Sequence, residues 1–433
     1  MFKYDFIIIY EHRNRELENA VLLAMMLEKK GYKVVVEYRW SARLLFQKAD
    51  VIITPYLYKN EVVVDFSLQP FCHIKKIINM QYEQIFFKED EEKLGDLPEG
   101  QAKNAVHISW GQNTTDRYKK AGINPNNIFE IGHVSMDLNM SKYKSSFLNK
   151  KELSQNFSIP SEKKWLLFIS SFSYIGLDRT TFEKCKNRSG RVDFFTDISY
   201  KSQPVILNYL EQLAKDFPEL IVIYRPHPFE SGCHRLVELK NKYDNFKVIA
   251  KHSIRQWILV SDYISTWCST SLVDVLFAQK PCAIIRPIPF QEENDYRIYR
   301  DQKIISEYRN LKEFINNPDE RFAVNPRTIK NYYRNDFDAC TFEMLRDKCI
   351  QVRNCKKFEF NYYEAIHPSP ILLLKYHVYR ILMSLAKFID YSRLAPEKYR
   401  TDIKLAHKEM KESGKEIKFY RKRFSGIVAN EDA

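Results

Sequence analysis

Glycine is scarce in this 433-residue chain, with 11 in all, and the 17 prolines are scattered. That excludes collagen-like and low-complexity classes and leaves no flexible linker of the usual composition. The eight cysteines (Cys72, Cys185, Cys233, Cys268, Cys282, Cys340, Cys349 and Cys355) include no CxxC pair. A chain of this length needs no disulfide staples, so they read as reduced thiols. No stretch approaches the roughly 20 apolar residues of a spanning helix. The apolar run FIIIY at 6–10 is followed at once by charges, too short for a signal-peptide core, and a cytoplasmic location is expected. Also missing are HExxH, Cys/His zinc spacing, the GxSxG elbow, the Walker P-loop and GxGxxG. These absences weigh against a resident metal, NAD or FAD. No nucleic-acid-binding module is recognisable, so no nucleic-acid partner is expected.

What is present is apolar bulk and positive charge. Hydrophobic residues make up 45% and aromatics 14%, enough for two or three dense domains. The formal net charge of +13 points to an anionic partner, such as a nucleotide, a polyanionic substrate or a membrane surface.

Short β-branched runs alternate with helical patterns. Phe6 to Tyr10 reads as a strand, Arg15 to Lys30 as a helix stopped by Gly31, and Tyr32 to Glu37 as a second strand. A short helix follows at Ala42 to Lys48, then strands at Val51 to Thr54, Lys76 to Met80, Ala105 to Ser109 and Ile128 to Ile131. The alternation lapses in a polar stretch from about Asp137 to Lys164 and then resumes. Strands are expected at Trp165 to Ile169, Leu220 to Tyr224, Phe246 to Ile249, Asp262 to Ser265 and Cys282 to Ile285. Helices are expected at Gln203 to Lys215, Ile254 to Val260 and Thr270 to Ala278. The pattern predicts an α/β chain of two Rossmann-like domains, 1–140 and 160–345, facing a central cleft. A helical basic tail over 360–433 completes it. In the tail, Leu374, Val378, Ile381, Leu382, Leu385, Phe388 and Ile389 form an apolar stripe flanked by Lys375, Arg380 and Lys387. Further on, Lys415 to Arg423 combines a basic cluster with Phe419 and Tyr420. Two readings of the tail stand: a helix docked on the domain, or an interfacial contact with anionic membrane.

Chemistry is expected where strands end. In LIVIYRPHPFE (220–230) a strand runs directly into Arg225-Pro226-His227-Pro228. The prolines fix the backbone, aim the His227 imidazole and leave Arg225 as a fork of donors for phosphate. In DYISTWCSTSLVDVLFAQKP (262–281) a strand leads to Ser269, Thr270 and Ser271 at a helix start, a second phosphate clamp, with Asp274 one turn on, placed for a ribose. Ser170 and Ser171 follow the first strand of the second half and are placed to close over the phosphates. In the first half, Glu11 and His12 end strand one and Glu83 follows strand four. These are the candidates for taking a proton from an acceptor hydroxyl. Asp336-Phe337-Asp338 matches a DxD metal motif formally but lies in a helical-looking region.

These residues carry a resemblance. Glu11-His12 with Arg15-Glu16, Gln81-Tyr82-Glu83-Gln84, Ile131-Gly132-His133 to Asp137, Arg225-Pro226-His227-Pro228 and the Ser/Thr helix start with Lys280-Pro281 resemble bacterial surface carbohydrate biosynthesis proteins. Those are GT-B-fold transferases of capsule and lipopolysaccharide assembly. The His-Pro pair is similar to that of polysialyltransferases, sialyltransferases, Kdo transferases and CDP-glycerol glycerophosphotransferases, which use CMP- or CDP-activated donors. The resemblance implies donor-phosphate contacts at His227 and at Ser269, Thr270 or Ser271, no cofactor beyond the nucleotide-activated donor, and a glycan or lipid-linked glycan acceptor. It also implies a peripheral place on the inner face of the inner membrane. The acidic triplet before a glycine that several sialyltransferases use as base is absent here. The expected activity is metal-independent glycosyl transfer. A CDP-polyol phosphotransferase, a nucleotide-sugar 2-epimerase and a non-catalytic binding scaffold are the alternatives.

Overall fold

The computed structural model describes the chain except residues 1, 70–71, 93–96, 178–181, 184, 187–190, 229, 231–232, 338–339 and 430–433, and the side chains of 67–69, 72, 89, 92 and 320. The chain divides into two units, one of 1–86, 90–137 and 330–433, the other of 87–89 and 138–329. Each is built on a parallel six-stranded sheet.

In the first unit the strands are β1 (Phe2–Tyr10), β2 (Val34–Tyr38) and β3 (Gln47–Thr54). A small antiparallel pair, β4 (Leu68–Gln69) and β5 (Cys72–His73), stands apart from the sheet. Then come β6 (Ile77–Asn79), β7 (Val106–Ser109) and β8 (Ile128–Glu130), in the order β2-β1-β3-β6-β7-β8. Phe6 to Tyr10 and Val51 to Thr54 are buried throughout, as central strands covered on both faces must be. The first helical segment opens with a π turn, Arg13–Leu17, and continues as the α-helix Glu18–Lys29. Gly31, at φ +86°, ends it in the left-handed conformation that glycine adopts without strain.

The second unit has β9 (Lys164–Ile169), β10 (Leu220–Arg225), β11 (Phe246–Val248), β12 (Tyr263–Thr266), β13 (Cys282–Ile285) and β14 (Ile304–Ile305). Their order is β11-β10-β9-β12-β13-β14. The helix expected from Gln203 instead runs from Val192 to Asp216 with Pro204 inside it. A proline reads locally as a helix start. Here Phe195 and Ile198 lie buried with Ile206, Leu207, Leu210 and Leu213 in one core, so packing outweighs the lost backbone bond.

Beyond 340 the described elements are helical, and they complete the first unit. The long helix Glu397–Ala429 lies on Glu18–Lys29. Tyr420 donates its hydroxyl to Glu18 at 2.9 Å, Arg421 forms a two-pronged pair with Glu28 at 2.7 and 2.8 Å, and Glu409 accepts the Arg13 backbone N–H at 2.6 Å. The cluster Lys415 to Arg423 is therefore on a docked helix. The preceding helix, Pro370–Leu385, is fixed by Arg380, whose guanidinium reaches the carboxylate of Asp65 at 2.9 Å and its backbone carbonyl at 2.6 Å. Both side chains are buried, so Arg380 does not flank the outer stripe as the sequence pattern placed it. Asp65 also meets Arg39 at 3.4 Å. Asp65→Ala takes the carboxylate from the buried Arg380 guanidinium and leaves part-buried Arg39 with Glu11 alone. It is expected to destabilise the first unit by about 3–5 kcal/mol, read from the urea unfolding midpoint.

Candidate functional site

In the second sheet Arg225 and Thr266 both pair with Ile169, so β10, β9 and β12 end at one edge. The chain proceeds from β9 outward through β10 to β11, and then occupies the opposite side with β12, β13 and β14. The reversal falls between β9 and β12, where open parallel sheets bind ligands. Ser170 and Ser171 leave from β9, Pro226 to Pro228 from β10, and Trp267 to Ser271 from β12.

The Arg225-Pro226-His227-Pro228 turn is held by a carboxylate that the sequence reading did not single out. Glu230 accepts hydrogen bonds from Ser170 Oγ at 2.5 Å, Tyr224 Oη at 2.6 Å, Gln203 Nε2 at 2.8 Å and the His227 backbone N–H at 3.0 Å. Burial raises its pKa, and these donors act in the opposite direction. The Glu230 N–H in turn donates to the His227 carbonyl at 2.9 Å, closing the turn on itself. A Glu three residues after His227 is the local signal that marks this reciprocal bond. Gln203, distant in sequence, gives no such signal. Burial lowers the His227 pKa to about 4, so the imidazole is neutral at pH 7. Pro226 is half-buried and Pro228 exposed.

Arg225 is turned away from the phosphate role its position implied. Its guanidinium donates to the carbonyls of Ile249, Lys251 and His252 in the loop after β11. Burial lowers its pKa to about 10. Ser170 is engaged with Glu230, and Ser171 Oγ accepts the Cys268 N–H at 3.1 Å, tying the loops after β9 and β12 together. Ser269 is fixed on its backbone by Tyr299, whose hydroxyl accepts from its N–H at 2.7 Å and donates to its carbonyl at 2.8 Å. Ser269 Oγ accepts from the Ser271 N–H at 3.2 Å, which leaves its own proton to donate. Thr270 and Ser271 follow directly into the helix Leu272–Phe277. Arg286, after β13, supports this loop by donating to the Trp267 carbonyl at 3.2 Å while paired with Asp295 and packed on Phe290 and Tyr299. Asp274 is buried against Asn139 at 2.9 Å and Arg255 at 3.2 Å, an engagement its ribose assignment did not foresee. Lys280 lies at the other end of the strands, donating to the Ser261 carbonyl at 2.9 Å.

The first sheet reverses between β1 and β3, and Glu11 and His12 follow β1 there. Glu11 accepts from Arg39 and, at 3.4 Å, from the Tyr56 hydroxyl, with His12 Nε2 3.7 Å away. Burial pushes its carboxyl up, but Arg39, His12 and Arg15 together hold it below the ordinary range. Glu83 is exposed and joins through Arg15, which bridges it at 2.6 Å to buried Glu16 at 2.6 Å. Glu16 accepts the backbone N–H groups of Glu11 and His12 at 2.6 and 3.3 Å, so the three candidates belong to one charged network. Farther along, Asp137 accepts from Phe342 N–H at 3.1 Å and Asn335 at 3.4 Å, and Asn335 brackets the backbone of His133 at 2.7 and 3.0 Å. Burial raises Asp137 to about 7. Asp338 of the DxD match lies outside the described residues.

No protein-family model matches the chain, and no curated protein matches it in sequence. Similarity lies in structure. A histidine-to-asparagine variant of the wall teichoic acid polymerase TagF soaked with CDPG superposes with a TM-score of 0.51 at 12% identity, over 82% of this chain and 89% of that one. A histidine-to-alanine variant of TagF gives 0.52 at 11% identity, over 81% and 89%. S. aureus MnaA with UDP gives 0.49 at 12% identity, over 82% and 97%. The chain has a two-domain α/β fold of the GT-B class, with a helical C-terminal region, and TagF shares that fold.

His227 carries a pH signature. Its native pKa of about 4 lies below the roughly 6.5 of an unfolded chain, so its contribution is present above pH 6.5 and is lost as pH falls toward 4. Glu230, with its raised pKa, works in the opposite sense. Comparing unfolding free energies of the unsubstituted protein and His227→Asn between pH 7 and 4 isolates the imidazole. The unsubstituted protein is expected to lose up to about 3 kcal/mol more than the variant.

Proposed function

We propose that this chain is a transferase of bacterial surface-glycan assembly that moves a sugar from a cytidine-nucleotide donor to a growing glycan or lipid-linked glycan. The observation that carries the reading is a neutral His227 on a Glu230-braced turn at the strand edge that also bears Ser269, Thr270 and Ser271. Groups placed in advance around a phosphate are what a departing nucleotide requires. The imidazole supplies one N–H donor without a fixed charge, and the hydroxyls of Ser269, Thr270 and Ser271 supply the others. The bond from the sugar's anomeric carbon to the phosphate oxygen breaks, the nucleotide leaves with the electron pair, and the acceptor oxygen forms the new bond. The acceptor proton passes to a first-unit carboxylate. Glu11 is preferred to Glu83 because it is part-buried and held by Arg39 and Tyr56, whereas Glu83 is 61% exposed. Arg225 and Asp274 act in this reading as positioning residues for the loops around the phosphate. The reaction is written with no metal and no cofactor beyond the donor.

A second reading, transfer of a phosphoryl-linked polyol, uses the same leaving group. It is favoured by the fold shared with TagF, a wall teichoic acid polymerase soaked as a variant with CDPG. Phosphorus in the product separates the two.

Thermal shift with CMP, CDP, UDP, GDP and ADP tests the donor class. At 100 times its Kd, the bound nucleotide is expected to stabilise the protein by about 2.7 kcal/mol. CMP or CDP should produce the shift, EDTA should leave it unchanged, and His227→Ala should remove it. In a turnover assay His227→Ala is expected to lower kcat by about 10²–10³. A folded variant with full turnover would sink the assignment.

A further inference from the structure

The helix Pro370–Leu385 has one face committed to the first unit and another committed to nothing described. Its inner face carries Arg380 on Asp65, Ser384 Oγ bonded to the Trp40 carbonyl at 2.8 Å and the Ala42 N–H at 2.6 Å, and Tyr376 against the core. The outer face carries Ile371, Leu374, Val378, Ile381, Leu382 and Leu385, which at helical spacing fall within about 100° of arc. All are exposed, Ile371 by 81% and Leu374 by 63%. Phe388, Ile389 and Leu394, exposed by 76%, 68% and 90%, extend the surface past the helix end. A contiguous apolar surface of this kind marks an interaction site.

Charge selects the partner. No Asp or Glu occurs from 365 to 389, while Lys375, Lys387 and Arg393 are exposed around the stripe. Asp390, the first acid after it, is turned to the Ser392 N–H at 3.0 Å. A second copy of the chain docked through this face by two-fold symmetry would set these cations against themselves. An anionic lipid surface neutralises them while its acyl region takes the apolar side chains. The helix is about 24 Å long by its 16 residues. Among the described residues no helix is long and apolar enough to cross a membrane, so the geometry is that of a helix lying in the interface.

We infer that the outer face of Pro370–Leu385, with the turn through Leu394, seats the protein on an anionic bilayer. The seat is the apolar stripe, with the Lys415 to Arg423 cluster carried separately on the docked helix. The same helix is linked inward to a candidate catalytic group, since Arg380 pairs with Asp65, Asp65 with Arg39, and Arg39 with Glu11. A lipid-linked acceptor is thus met by the unit that holds Glu11.

Vesicle sedimentation of the full chain tests this without nucleotide or acceptor, so its outcome is independent of the transferase reading. With phosphatidylcholine vesicles containing about one-third phosphatidylglycerol, the protein is expected to pellet, and to pellet less in high salt. Leu374→Glu/Leu382→Glu is expected to weaken partitioning about tenfold or more with an unchanged melting temperature. Lys375→Glu/Lys387→Glu, which leaves the stripe intact, should weaken binding to the anionic vesicles as well. A protein that stays in the supernatant, or a Leu374→Glu/Leu382→Glu variant that pellets as before, overturns the inference. So does light scattering that finds a dimer dispersed by that variant while vesicle binding is unaltered.

Discussion

One carboxylate in the second unit holds the geometry on which the site depends. Glu230 gathers Ser170, Tyr224, Gln203 and the His227 backbone, groups drawn from two strand ends and a helix. A buried carboxyl is costly when its lone pairs go unmatched, and four donors from fixed elements offset that cost. The turn carrying His227 then has little freedom, because its two prolines restrict the chain and Glu230 closes it. The imidazole on that turn is uncharged at pH 7 and set at the strand edge.

The first unit solves a related problem with charges. Glu11, Arg39, Asp65 and Arg380 form a buried or part-buried quartet of balanced formal charge. Burying ions is tolerated only where each has its counterpart, so a change at one member is felt by the other three. The quartet runs from the end of β1 to the helix Pro370–Leu385. It explains why Glu11, though largely buried, has its pKa held low.

The parallel strands were legible because β-branched runs such as FIIIY and VIIT are read directly from composition, and their alternation with helices leaves few architectures. Gly31 was legible as a helix stop for the same local reason. The helix Val192–Asp216 was half legible: Pro204 looked like a beginning, and only the core shared by Phe195 and Leu210 reveals that it is an interior. His227 and Ser269 to Ser271 could be placed at a strand edge from sequence, since their neighbours are the strand ends themselves. The partners of Arg225, Asp274 and Arg380 could not. Each is chosen by a residue or carbonyl far along the chain, the loop at 249–252, Asn139 and Arg255, and Asp65 respectively, and nothing local distinguishes a cation aimed at a ligand from one aimed at a carbonyl.

The first unit is assembled from both ends of the chain, with residues 138–329 of the second unit inserted between them. On a ribosome the second unit is finished while the first still lacks its closing helices. At about 5–20 residues per second, the wait between Asp137 and Ala429 is roughly 15–60 s. Through that interval the surface of Glu18–Lys29 that later receives Tyr420 and Arg421 stands open, and Asp65 lacks its second cation. Translation order therefore makes the C-terminal helices the last cover laid on a sheet whose six strands all lie before residue 131, so a nascent chain stopped before them would hold a complete second unit beside a first unit that lacks Arg380 and the helix Glu397–Ala429.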